Sequence, residues 1–150
     1  MAHTLYVDLS AKVDHWTKDS AVAVSNDGCH VFLASGKVKQ KARLRIRSRH
    51  GEKSEQYRLL AALIYVAIST DLPTLAYVVI DQDYSGAAAE ATIKNFLLEL
   101  LHRDRADITS GFIRFAKLRG TRADRMAKRV YDGKTKPDHN LKFSELEDLL

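Results

Sequence analysis

Two short apolar runs in this chain each stop on an aspartate. Leu5-Tyr6-Val7 runs into Asp8, and Leu75 to Ile80 runs into Asp81. Such runs read as buried strands, and the second, apolar almost throughout, as a central strand covered on both faces. Two predicted helices add the carboxylates of Glu55 and Asp124. Taken singly, a strand-ending aspartate is an ordinary turn former that bonds local backbone groups. Carboxylates from distant parts of the chain brought to one meeting point are another matter, because they repel one another unless a cation sits among them. These are hard oxygen donors with no Cys or His pattern beside them, which suits magnesium or manganese rather than zinc.

The elements that would position these residues follow from pattern. After the first strand, Ala21 to Ser25 reads as a second, Asn26-Asp27-Gly28 as a tight turn, and His30 to Ser35 as the returning third strand. Lys37, Lys39, Lys41, Arg43, Arg45 and Arg47 then alternate, which on a strand would aim them all at one face. This basic stretch is expected to continue the third strand or to form an edge. From Glu52 or Ser54 to about Ile68 the chain reads as a helix, with Leu59, Leu60, Leu63, Ile64 and Ala67 as its buried stripe. Leu75 to Asp81 is the fourth strand, Tyr84-Ser85-Gly86 a turn, and Ala87 to about His102 the next helix. Gly111 to Ala116 is a fifth strand, and Thr121 or Arg122 opens a third helix. An antiparallel meander followed by alternating helices and strands implies an α/β fold, a mixed five-stranded sheet with helices packed on it. Residues 1–131 form that domain. Residues 132–150 read as a polar linker and a short terminal helix that docks on the domain or on a protein partner.

With 150 residues there is room for one sizeable core. No stretch approaches the roughly 18 apolar residues of a membrane span, so no membrane partner is expected. The opening MAHTLYVDLS lacks the layout of a secretion signal. Cys29 is the single cysteine, which excludes an internal disulfide and suits a reducing compartment. A cytoplasmic location is the expectation. The charge of +5 favours anionic partners, and its distribution says more than its size. Besides the alternating stretch, Lys117, Arg119, Arg122, Arg125, Lys128 and Arg129 surround Asp124. Each basic group is either a solvated face or a phosphate-contacting surface. Trp16 sits between the first two strands, where packing is the simpler role and stacking on a base the alternative.

Four segments, in order, resemble the type-one ribonuclease H family. Tyr6-Val7-Asp8-Leu9-Ser10 is similar to its first-strand motif, an apolar strand running into Asp-Gly-Ser. Glu55-Gln56-Tyr57-Arg58-Leu59-Leu60-Ala61-Ala62-Leu63 is similar to its first helix, which starts at a metal-binding glutamate. Val79-Ile80-Asp81-Gln82-Asp83-Tyr84 resembles the strand ending in Asp-Ser-x-Tyr. Gly120-Thr121-Arg122-Ala123-Asp124-Arg125-Met126-Ala127 resembles the closing Gly-Asn-x-x-Ala-Asp-x-Leu-Ala signature, the most specific of the four. The likeness spans about residues 4 to 131.

The resemblance implies a ribonuclease H-like fold and an endonuclease that cleaves the RNA strand of RNA–DNA hybrids. Asp8 would bridge two magnesium or manganese ions, Glu55 and Asp81 would hold one, and Asp124 would complete the other. Two ions roughly 3.5–4 Å apart activate water and stabilise the attacking and leaving oxygens of an in-line displacement. Asp83 competes with Asp81, and Glu52, one helical turn earlier, competes with Glu55. Expected nucleic-acid contacts are Ser10, Lys39, Lys41, Arg43, Lys117, Arg119 and Arg122. Two departures are plain. Leu9 stands where the family has glycine, and Lys117-Leu118-Arg119-Gly120 runs into the last helix without the family's histidine loop. A DNA-directed nuclease or resolvase of the same superfamily, and a nucleic-acid-binding or assembly module without fast catalysis, are the alternatives.

Overall fold

A computed structural model describes residues 3–10, 12–82 and 86–150. The apolar runs become β1 (His3–Ser10), β2 (Ser20–Ser25), β3 (Cys29–Ala34), β4 (Leu75–Asp81) and β5 (Ile113–Ala116). Between and after them lie α1 (Gly36–His50), α2 (Glu55–Ile68), α3 (Ala87–Leu101) and α4 (Arg122–Tyr131), then β6 (His139–Asn140) and α5 (Phe143–Leu146). One mixed sheet holds all six strands in the order β5-β4-β1-β2-β3-β6. The meander β1–β2–β3 is antiparallel, while β4 joins β1, β5 joins β4 and β6 joins β3 in parallel.

Side-chain parity divides the sheet into two unlike faces. Leu5, Val7, Val22, Val24, Val78, Ile80 and Ile113 point into the larger core, where Leu59, Leu63 and Ile64 of α2 and Ile93, Leu97 and Leu101 of α3 meet them. The stripe expected of α2 is buried there in full. On the opposite face Ala21, Ala23 and Val31 meet Ala123, Ala127 and Val130 of α4. Small residues on both sides let this helix lie close to the strands. Asp8 stands opposite Ala23, and cross-strand partners share a face, so Tyr6, Asp8 and Ser10 belong to the α4 side. By the same alternation Tyr77, Val79 and Asp81 belong there too.

Two expectations are corrected. The alternating basic stretch is a helix, α1, and not a continuation of β3. Its Lys, Arg, Gln, Ala and Leu content favours helix over strand. Ser35 caps it, with its Oγ accepting from the Val38 amide at 3.2 Å, and Gly51 ends it at φ 81°. On a helix, a spacing of two turns side chains about 200° per step, so the cations scatter around the axis. Lys39, Arg43 and Arg47, four apart, share one flank, and Ala42 and Ile46 are buried.

The sheet also has six strands rather than five. Asp138 exchanges two bonds with Val31, its amide to the Val31 carbonyl at 2.9 Å and its Oδ2 accepting from the Val31 amide at 2.7 Å. The Leu141 amide then reaches the Leu33 carbonyl at 2.9 Å. Leu141, Leu146 and Leu150 are buried in the large core, and Arg49 Nη1 donates to the Leu150 carbonyl at 2.6 Å. The tail thus docks on its own domain and covers the β3 edge, which would otherwise offer unpaired backbone groups. No helix among the described residues is long and apolar enough to cross a membrane.

Candidate functional site

Asp8 and Asp81 come together through strand register. Val7 pairs with Ile80 in the parallel β1–β4 ladder, so the next residue of each strand is one of the two aspartates. A narrow cleft on the opposite, α2 face of the sheet, lined by Val22, Leu60 and Ile64, also touches both aspartates. They sit at the carboxyl ends of neighbouring parallel strands, where open α/β sheets place their ligands. Asp8 is 3% exposed, and its Oδ1 accepts from the Leu9 amide at 2.8 Å. Asp81 Oδ1 accepts from the Leu118 amide at 2.7 Å.

That last bond starts a chain of contacts leading to Asp124. Thr121 Oγ1 donates to the Leu118 carbonyl at 2.6 Å and, as the cap of α4, accepts from the Asp124 amide at 3.3 Å. Asp124 Oδ2 in turn accepts from the Gly120 amide at 2.8 Å. Gly120 takes φ 81°, a conformation that favours glycine. Asp124 therefore sits in the first turn of α4, where the helix dipole favours negative charge. The residues from Leu118 to Asp124 form one hydrogen-bonded unit anchored on Asp81, on the face that carries Asp8.

Glu55 is placed differently. It starts α2, on the opposite side of the sheet, and is 6% exposed. Arg43 Nε meets its Oε1 at 2.8 Å, Arg47 Nε meets its Oε2 at 2.8 Å, and Arg47 Nη2 adds a bond to Oε1 at 3.2 Å. Burial alone would raise the Glu55 pKa, but the hydrogen bonds from Arg47 and Arg43 outweigh it and hold the carboxyl below its ordinary value. Glu52 is exposed and lies 3.8 Å from Arg47 Nη1. Among the described residues, no three His, Cys, Asp or Glu side chains are grouped so as to hold a metal ion. Asp83 and Tyr84 lie outside the described residues.

The expected nucleic-acid contacts divide as well. Lys39 is corrected: it is 0% exposed and cannot meet a ligand. Its Nζ donates to the His15 carbonyl at 2.9 Å and to Ser20 Oγ at 2.8 Å, tying the β1–β2 connection to α1. Burial pushes its pKa down to about 8, against the opposing pull of Asp19 and Asp14. An NMR titration of Lys39 Cε is expected to show a midpoint near 8, assigned by its loss in Lys39→Met. Because the unfolded chain holds that proton more tightly, stability from this group rises as pH increases from about 8 to 10.5. A midpoint above 10 would contradict the buried placement.

Arg43 is occupied by Glu55, and its guanidinium lies 4.7 Å from the centre of the Trp16 ring. Trp16 packs against the large core, in its simpler role. Lys41, Lys117, Arg119 and Arg122 are exposed, Arg122 with one bond to the Asp27 carbonyl at 3.2 Å. Ser10 is half-buried at the end of β1, on the Asp8 face. Sequence reasoning missed the Arg43–Glu55–Arg47 clamp. The four-residue spacing of the two arginines would have signalled it once α1 was read as a helix.

No family model, no curated protein and no solved structure matches this chain.

Proposed function

We propose that the protein is a metal-dependent nuclease with a ribonuclease H-like fold, cleaving the RNA strand of RNA–DNA hybrids at Asp8, Asp81 and Asp124. The observation that carries this reading is the side-by-side placement of Asp8 and Asp81, with Asp124 tied to Asp81 through the Leu118–Thr121 loop. In support, the antiparallel meander, the later α2–β4–α3–β5–α4 alternation and the aspartates at the ends of β1 and β4 and in α4 agree with the resemblance, while α1 is a helix that it does not supply. The donor set is all carboxylate oxygen, which fits magnesium or manganese. Such an ion, when bound, supplies Lewis-acid stabilisation of phosphate charge and lowers the pKa of its water.

The chain's own contribution is positioning. Asp8 and Asp81 are fixed by β-ladder geometry, and the Leu118 and Gly120 amides orient Asp81 and Asp124. Lys117, Arg119 and Arg122 flank that loop and give phosphates a positively charged approach. Glu55 would join the ligand set only by giving up its two guanidinium partners.

That clamp, together with the absence of a three-donor group among the described residues, favours a second reading. In it the chain binds nucleic acid without rapid turnover. A panel of labelled RNA–DNA hybrid, DNA duplex, single strand and four-way junction, each with magnesium, manganese or EDTA, separates the readings. The proposal expects metal-dependent cutting of the RNA strand in the hybrid. Cutting confined to DNA or junctions points to the DNA-directed relatives, and salt-sensitive binding with no cutting points to the binding module.

A further inference from the structure

Among the described residues, the α4 side of the sheet is only partly covered. Helix α4 packs across β1, β2 and β3, and the same face of β4 and β5 lies beside it. At the margin of α4, Tyr6 is 41% exposed, Tyr77 is half-buried and Arg114 is exposed, while Val79 between them is buried. Their positions follow from register. Thr4 pairs with Tyr77, Tyr6 with Val79, and Val79 with Arg114. The Arg114 guanidinium lies over the Tyr77 ring, 3.7 Å from its centre.

We infer that this open face of β1, β4 and β5, with Tyr6, Tyr77 and Arg114, is a stacking platform for a single-stranded segment of nucleic acid. Three features select this occupant. The exposed Tyr6 ring and the Arg114 guanidinium plane stacked on Tyr77 suit the faces of unpaired bases, which a duplex keeps stacked inside. Tyr6 and Arg114 lie in one row two strands apart, roughly 10 Å, so one base can rest on the Tyr6 ring and a second on the guanidinium that caps Tyr77. Charge is complementary: Arg114 on the face and Lys117, Arg119 and Arg122 in and after the neighbouring loop are exposed cations in a chain of net charge +5. The platform also has a direction. Asp8 lies two residues beyond Tyr6 on β1, about 7 Å further along the strand, and Asp81 closes β4 at the same end. An unpaired strand resting on Tyr6 leads toward the aspartates.

The platform goes beyond the nuclease reading, since it would grip an unpaired strand flanking the hybrid and not the paired region, and its binding can be read without any cleavage. Fluorescence anisotropy in EDTA, with labelled twelve-nucleotide oligo-dT and oligo-U and a blunt duplex of equal length, is the test. The full chain is expected to prefer the single strands over the duplex by at least about tenfold. Tyr6→Ala is expected to weaken single-strand binding by about 5- to 150-fold, the range of a lost base–aromatic stack, and Tyr6→Phe to retain it. Arg114→Ala is expected to weaken binding and flatten its salt dependence. Equal affinity for the blunt duplex, no binding, or Tyr6→Ala within twofold of wild type would each overturn the platform. Loss of cleavage with stacking intact would instead count against the aspartate site alone.

Discussion

Asp8→Asn and Asp81→Asn are each expected to reduce metal-dependent cleavage to below about one-hundredth of the wild-type rate with the fold unchanged. The substitution is nearly isosteric. In Asp81→Asn a side-chain oxygen remains to accept from the Leu118 amide, as the carboxylate does at 2.7 Å, and in Asp8→Asn one remains to accept from the Leu9 amide. Only the negative charge and the second anionic oxygen are lost. Groups that merely orient metal ligands already cost 10- to 100-fold when removed, so a direct donor sets a floor at the upper end of that range. The loss should fall on kcat, because phosphate contacts by the exposed cations are left in place. Circular dichroism and thermal melting in parallel check the fold. Activity within threefold of wild type in either variant would remove that aspartate from the site.

The second large effect concerns stability. Glu55→Ala is expected to lower unfolding free energy by about 1–3 kcal/mol at neutral pH. Breaking one side of a fully buried ion pair costs about 3–5 kcal/mol. Here the glutamate is buried while Arg43 and Arg47 keep 33% and 36% side-chain exposure, so water recovers part of the loss. The pH dependence has a definite sign. The folded carboxyl titrates below its ordinary value of 4.5, so the clamp's contribution is complete above that pH and is lost as pH falls through the lower folded value. Urea unfolding of the wild type should therefore weaken on acidification below 4.5, and Glu55→Gln should weaken less over the same interval. Equal stability of Glu55→Ala and wild type at pH 7 would show the clamp to be idle.

What could be read in advance was what depends on local pattern. Apolar runs marked β1 and β4, the Leu59-to-Ala67 stripe marked α2, and Thr121 before Arg122 marked the start of α4. The aspartates at the strand ends belonged to that legible part, since register follows once two parallel strands are neighbours. The misread element was α1. Alternating Lys and Arg has the period of a strand, yet the residues between them, Val38, Gln40, Ala42, Leu44 and Ile46, were the better guide. Val38, Ala42 and Ile46 are four apart, and Ser35 and Gly51 supply the cap and the stop. That one error moved Lys39 to the surface and hid the partners of Glu55. The sixth strand was illegible for another reason. Its two residues pair only because Asp138 meets Val31, 107 positions away, and no local pattern encodes such a contact.

The proposed metal site is the central claim, and it can be tested directly. Manganese added stepwise to the labelled protein broadens amide resonances near each bound ion. The expected result is early, selective broadening at Asp8, Asp81 and the Leu118–Asp124 segment, suppressed in Asp81→Asn. Broadening centred on Glu55, or none at the strand ends at manganese concentrations that support cleavage, would contradict it.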